Sequence, residues 1–464
     1  KVAKNGKAET MVFTLLGISY FNLENYTKTI ESLNIAINKG ETYNKAFYCR
    51  GHANYQLGQF EIAINDLSNS IDDGLKDIVS FTNRGMSYYS IGEYSKTISD
   101  LGKAVELGSN DPELFFTMGV ARYETKRYTP AIKDFNKTIN INPDHAEAFF
   151  NRANSKFKIK DYGGAILDYD RALSLGVENH LLFNNRGKAK QLMELYDEAI
   201  ADYNKSLELK SDYTRAFENR GTCYYQMKNY TNAIEDLVNL EKHEELKPAL
   251  QYFLGQSYYN TDNCPLAITY LDKAITGGIN LKDGFKNRGI CHMKQESYQL
   301  AINDFTACLK LDSEQADIYT NRAEAYIYID DTESAMNDLN RSLKLDNSSP
   351  NNYFNRAILM EQMEKFDDAA KDYTRVIELN PKDANAYFNR GSCLAKVDNY
   401  VSAVTDLTMA TQLEPTNPDY FRVLGNTKYQ LSKLEANPCE DWQKAVELGD
   451  KKAAFSVKRF CRGN

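Results

Sequence analysis

The chain has 464 residues, 26% of them charged, and a formal net charge of −8. Mean hydropathy is −0.57, and no apolar run approaches the ~18 residues of a membrane-crossing helix, so a direct membrane span is not expected. Lys and Arg never gather into one block, which argues against nucleic acid as a partner, and 10 prolines with 25 glycines leave no room for long flexible linkers.

A fixed period organises the chain. From Gly17 a small residue recurs every 34 positions: Gly17, Gly51, Gly85, Gly119, Ala153, Gly187, Gly221, Gly255, Gly289, Ala323, Ala357, Gly391 and Gly425. An aromatic precedes it by four in every repeat but the eighth, from Phe13 to Phe421, with Gln251 as the exception. An Ala follows it by twelve (Ala63, Ala131, Ala199, Ala403), and a large apolar residue stands four beyond that (Leu67, Leu101, Phe135, Tyr203, Leu271, Phe305). Spacings of four mark one helical face. Two such faces occur per repeat, separated by turns such as Leu57-Gly58-Gln59 or Ile91-Gly92-Glu93. The period therefore predicts a helix, a turn and a second helix. The small residue and the Ala let the two backbones approach, and a larger residue at Gly187 or Ala199 overpacks them at about 1–3 kcal/mol. One hairpin cannot bury its own apolar stripe, so the units must stack.

With Pro143, Pro381 and Pro415 near repeat ends, this pattern resembles the tetratricopeptide repeat (TPR) over residues 8 to 448. The resemblance implies an all-α, right-handed superhelical solenoid of antiparallel helix-turn-helix units. It also implies protein or peptide binding on a concave face, as a scaffold, adaptor or co-chaperone. The expected divisions are repeats one to seven at 8–247, a divergent repeat eight at 248–281, repeats nine to twelve and the start of thirteen at 282–432, and capping helices at 433–464.

Arg precedes the small residue in nine repeats, from Arg50 to Arg390, and an Asp recurs on the second helix from Asp66 to Asp406. Repeats one and eight lack both, and Leu16, Met118, Leu254 or Leu424 can stand at the Arg position, so it must be half buried. The pair reads as a charge-assisted link between helices; a row of Arg offered to acidic ligands is the alternative. Before the Arg stands Asn83, Asn151, Asn185, Asn219, Asn287, Asn321, Asn355 or Asn389. In the family this position tends to face the groove, where an amide that donates and accepts suits the main chain of an extended peptide. The alternative is an Asn that solvates its helix or bonds the next repeat. Aromatics expected on the same surface include Tyr55, Tyr89, Tyr123 and Phe157, and they thin out after residue 300, where Glu324, Glu361 and Gln362 appear. A carboxylate clamp of the co-chaperone kind is incomplete: Asn154, Asn185, Arg215 and Asn219 approach it, but Phe150 holds the place of the opening Lys.

The closing segment holds Cys439, Trp442, Arg459, Cys461 and Arg462. It reads as a polar-faced cap and resembles the end of some bacterial TPR proteins. Cys439 and Cys461 come close if 439–448 and 450–461 form a hairpin, and a disulfide there fits an exported protein, which points to a bacterial periplasm or cell envelope over the cytoplasm. Cys49, Cys223, Cys264, Cys291, Cys308 and Cys393 read as buried free thiols. The chain opens on Lys1, so its natural start, and any leader, is expected upstream.

Five histidines fall at different repeat positions without metal-like partners, and no phosphate loop or nucleophile elbow is present. No metal, cofactor or catalytic residue is expected. The functional expectation is a non-catalytic scaffold binding protein or extended peptide along its inner face. The alternative is a structural subunit of a multi-protein complex, held by its edges and ends.

Overall fold

The computed structural model describes residues 2–40, 43–431 and 437–461, with side chains from residue 8 onward. These residues form 27 α-helices and no strand. The first 26 come in consecutive pairs, as in repeat five, where Ala146–Lys158 is followed after one short turn by Tyr162–Ser174, and Lys451–Phe460 follows the last pair. They fall into two compact units, Lys1–Asn229 with Val238–Glu244, and Tyr230–Leu237 with Glu245–Asn464. Repeat eight, the most divergent in sequence, keeps the same hairpin from Pro248–Asn260 and Cys264–Thr276.

Two turns punctuate each repeat. Inside the hairpin, the residue seven after the small one takes a left-handed conformation in every repeat from one to twelve. Glycine supplies it only at Gly58 and Gly92; elsewhere Lys, Glu or Asp does, as at Lys160 with φ 66°. The next residue but one starts the second helix, and Asn25, Asp161, Asn263, Asp331 and Asn399 cap it by accepting a backbone N–H three residues on.

The turn between repeats has two forms, decided by the residue 23 after the small one. Gly40, Gly74, Gly108, Gly176 and Gly278 take positive φ there and end a second helix of 13 residues. Asn142, Lys210, Asp312, Asp346, Asn380 and Glu414 take φ between −123° and −151° and end one of 14. Three of these precede the prolines noted above, which force the residue before them out of the helical region.

The small residue packs inside its own hairpin. A Cβ on Gly85 would lie 2.7 Å from Leu101 Cδ2, one on Gly119 2.6 Å from the Phe135 ring, and one on Gly187 2.9 Å from the Tyr203 ring and 3.1 Å from the Ala199 carbonyl. The partner is thus the large residue 16 positions on, which is fully buried at Leu33, Leu67, Leu101, Phe135, Tyr169, Tyr203, Leu271, Phe305, Leu339, Tyr373 and Leu407. A methyl is accommodated at Ala153, Ala323 and Ala357.

Contact between repeats rests on a residue the period analysis passed over, five before the small one. Ala148 enters the core of Ala131 and Phe135, Leu182 that of Tyr169 and Ala172, and Ile318 that of Ala301 and Phe305. Each meets the second helix of the preceding repeat, so the hairpins of repeats five, six and ten cover the ones before them.

The cysteines require one correction. Cys49, Cys223, Cys308 and Cys393 are buried free thiols, and burial pushes Cys49 and Cys393 up to about 12 and Cys223 to about 11. Cys264 and Cys291, expected to be free, are joined as a disulfide 27 residues apart in sequence. Cys291 shares its repeat position with the free Cys223 and Cys393, but it alone meets a second Cys, because repeat eight alone carries one nine after its small residue, at the start of its second helix. Cys439 and Cys461 form a second disulfide, with Cα atoms 5.7 Å apart. Of the segment expected to cap the chain, residues 433–436 and 462–464, Arg462 among them, lie outside the described residues.

Candidate functional site

The Arg row is committed internally. Arg152 donates through Nε and Nη2 to the two carboxylate oxygens of Asp168 at 2.8 and 2.6 Å, and Arg356 does the same to Asp372 at 2.7 Å each. Arg50, Arg84, Arg186, Arg288, Arg322 and Arg390 repeat this fork on Asp66, Asp100, Asp202, Asp304, Asp338 and Asp406. The guanidiniums of Arg84, Arg152, Arg186, Arg288, Arg322, Arg356 and Arg390 also lie over the aromatic three residues before them, as Arg152 over Phe149 at 5.1 Å and Arg186 over Phe183 at 5.4 Å.

The third guanidinium nitrogen reaches back 16 residues to the preceding repeat. Arg50 donates to Asn34, Arg84 to Ser68, Arg152 to Asn136, Arg186 to Asp170, Arg220 to Asn204, Arg288 to Asp272, Arg322 to Thr306, Arg356 to Asn340 and Arg390 to Thr374. One side chain therefore joins three helices. The signal lay in the sequence: this position is polar before every Arg, and becomes Gly102 and Val238 before the Arg-less repeats four and eight. Repeats four and thirteen keep their buried Asp by another route. Arg122, one turn along the first helix, pairs with Asp134, and Lys428 in the same place pairs with Asp441 at 2.7 Å. Burial raises the carboxyls of Asp134 and Asp441, and the adjacent cations oppose that rise.

The Asn row behaves differently from repeat to repeat. Asn83 is buried and its amide meets the His52 ring at 2.5 Å; burial holds that imidazole below its usual value. Asn151 donates to the Glu147 carbonyl of its own helix, and Asn287 to Gln256 of the preceding repeat at 2.5 Å. In repeats five to seven the amides form a relay. Asn219 donates to Asn184 at 3.0 Å, Asn184 to Asn185 at 3.2 Å and Asn185 to Asn154 at 3.1 Å, whose oxygen also accepts from Tyr169 at 2.6 Å. Asn321, Asn355 and Asn389 are half-buried, as are Asn151, Asn185, Asn219 and Asn287. The positions nearest a carboxylate clamp, Asn154, Asn185 and Asn219, are those tied into the relay.

The aromatics expected on this face are also half-buried, and each faces a second ring five residues on. Tyr55 meets Phe60 at 6.3 Å, Tyr89 meets Tyr94 at 6.0 Å, Tyr123 meets Tyr128 at 5.5 Å and Phe157 meets Tyr162 at 5.4 Å. Burial is the main reason the Tyr55, Tyr89 and Tyr123 hydroxyls are raised. The second ring, nine after the small residue, recurs through the chain and was not singled out from the sequence. Among the described residues no group of three or more His, Cys, Asp or Glu could hold a metal ion, and no helix is long and apolar enough to cross a membrane.

Family models described as Tetratricopeptide repeat match residues 354–418, and 182–213 with 316–349. No curated protein matches the chain. Among solved structures, YrrB, a TPR protein with an unusual peptide-binding site, is 21% identical, covering 42% of this chain and 97% of its own, at a TM-score of 0.36. The C-terminal part of a TPR repeat-containing protein from Cytophaga hutchinsonii is 17% identical, covering 51% and 98%, at 0.43. The APC/C hetero-tetramer Cut9–Hcn1 is 12% identical, covering 97% and 96%, at 0.33. The 34-residue hairpins repeated in frame, their paired helices and these family matches make the chain a tetratricopeptide-repeat protein.

Proposed function

We propose that this protein is a non-catalytic scaffold that binds protein or extended peptide segments along the face carrying the Asn row. The observation that carries the reading is the division of labour between neighbours. The Arg charges are neutralised by Asp inside the array, while one position earlier the amides of Asn321, Asn355 and Asn389 are half-buried; those of Asn185, Asn219 and Asn287, also half-buried, bond side chains of the preceding repeat. An amide both donates and accepts, so amides recurring within each compact unit suit main chain and are indifferent to side-chain charge. The rings of Tyr55, Tyr89, Tyr123 and Phe157 add large apolar contact at low entropic cost. The test is selection of 12-residue peptides from a random library on the full chain. The variant Asn219→Ala/Asn287→Ala/Asn321→Ala, shown to be folded by circular dichroism, should bind the selected peptides at least tenfold more weakly; equal binding sinks the reading.

A second reading, assembly through the ends, is favoured by one observation. Five residues before the small one, the other repeats bury their side chain almost completely, yet Val12 is 60% exposed, and Leu15 beside it 55%. In later repeats this position packs on the preceding hairpin, so an apolar surface is exposed here that a partner helix in a complex would cover. Cross-linking from a cysteine placed at position 12 to one defined subunit would support this reading; cross-links scattered over many proteins would remove it.

A further inference from the structure

Four early repeats fill the space above their turn with a pair of rings. Repeat nine cannot. It keeps the second ring, Tyr298, but carries Met293 where Tyr55, Tyr89, Tyr123 and Phe157 stand in repeats two to five. Tyr298 turns instead to the next repeat and stacks on Tyr328, with centroids 4.5 Å apart and planes 6° from parallel. The space left open is a cavity of about 390 Å³ between Lys282–Lys294, Tyr298–Leu311 and Ala316–Tyr328. Ile290, Met293 and Phe305 form its apolar lining, and the two stacked tyrosines form a flat wall.

Polar groups at the cavity are Lys294, Glu296, Asn321 and Glu324. The Lys294 ammonium is held by Asp262 at 2.5 Å. Glu296 and Glu324 are exposed, and neither has an ion-pair partner among the described residues. The uncommitted charge at the mouth is therefore negative. Burial raises the Tyr298 hydroxyl, and Glu296, Tyr328 and Glu324 add to that rise. The surrounding chain reinforces the negative charge, with 23 Asp and Glu against 17 Lys and Arg between residues 282 and 432. A flat aromatic wall, two free carboxylates and an apolar floor together suit a cation that is planar and carries an aliphatic stem. Guanidinium stacks on aromatic faces and forks onto carboxylates, whereas ammonium is a compact, strongly hydrated point charge.

We propose that this cavity receives an arginine side chain of a bound peptide, its guanidinium against the Tyr298–Tyr328 wall between Glu296 and Glu324, with Asn321 bonding the adjoining main chain. The proposal rests on the Asn face binding peptide, and it gives that face a charge preference at one repeat. The probe is a blocked pentapeptide with one central arginine, titrated into the full chain by calorimetry beside its citrulline and lysine counterparts. Citrulline keeps the shape and loses the charge. The arginine peptide should bind saturably, at least tenfold tighter than citrulline and severalfold tighter than lysine, and its affinity should fall with added salt. Glu296→Gln/Glu324→Gln, two exposed and nearly isosteric changes, should remove the arginine preference, and Tyr328→Ala should weaken binding tenfold or more. Equal binding of arginine and citrulline, or an unchanged preference in the Glu double variant, overturns the proposal, as does the absence of saturable binding.

The two readings fail separately. If library peptides require the Asn row while arginine equals citrulline, the row stands and the cavity falls. If the arginine preference needs both glutamates while the Asn triple variant still binds library peptides as the native chain does, the cavity stands and the row falls.

Discussion

The guanidinium of Arg356 touches three helices. It forks onto Asp372 of its own hairpin, donates to Asn340 of the preceding one at 2.7 Å, and covers the Tyr353 ring at 5.6 Å. The Asp372 side chain is only 8% exposed, so removing the cation strands a buried carboxylate. Arg356→Leu should therefore cost roughly 3 kcal/mol or more, while adding Asp372→Asn should recover part of that loss. Hydrogen exchange over residues 350–379 is the measurement, since one global free energy is poorly defined for a repeat array. Exchange should accelerate about a hundredfold in the single variant and less in the double. Equal exchange in the two would show that the Arg acts through packing alone. Half of this arrangement was legible in the sequence, because Arg and Asp vanish together from repeats one and eight. The bond back to the previous repeat was not read, although its acceptor also disappears as Gly102 and Val238. It stands in the preceding repeat, and so escapes a comparison made within one repeat.

At the level of the helical hairpin, the turns are where local chemistry and fold disagree. Twelve hairpins need a left-handed residue at one place, and ten of them meet the need without glycine. An L-residue there costs about 1 kcal/mol. Lys160→Gly should therefore stabilise the hairpin of Ala146–Lys158 and Tyr162–Ser174 by roughly 0.5–1 kcal/mol, partly offset by the freer unfolded chain. Gly58→Ala should destabilise its own hairpin by about 1 kcal/mol. Exchange protection of the two hairpins gives the signs, and a Lys160→Gly variant less protected than the native chain would contradict the account. The period marked these turns from the sequence, but Gly58 and Gly92 alone suggested their conformation. The ring pairs were half legible in the same way. Tyr55, Tyr89, Tyr123 and Phe157 were read as facing a ligand, and which side of a half-buried ring meets solvent depends on a second ring across the turn.

For the molecule as a whole, the closing hairpin is the place where one probe reports one event. Trp442 is the single tryptophan and is 1% exposed. It donates to Asn426 at 2.9 Å, packs beside Tyr429 and Phe460, and stands where a Cβ on Gly425 would meet it at 2.5 Å. Arg422 donates to Asp450 at 2.7 Å, and Asp450 caps the last helix. The Cys439–Cys461 disulfide closes a loop of 22 residues around this cluster, worth about 3 kcal/mol in chain entropy. Cys439→Ser/Cys461→Ser should thus shift Trp emission to the red at lower urea concentration than the loss of helical circular dichroism. Coincident curves for the two signals would show that the cap does not depend on the disulfide.

The sequence by itself determined the period, the helical hairpins, the small residue at their contact and the Arg–Asp pair. Each depends on residues within one 34-residue unit or on its exact repetition, so spacing alone exposes it. Only the tertiary structure decided which cysteine meets Cys291, which acceptor the third guanidinium nitrogen finds, and what becomes of the space beside Met293. Those outcomes depend on what the adjacent hairpin presents. Met293 is an unremarkable substitution within its own repeat; it opens a cavity because Tyr298 finds Tyr328 in the next.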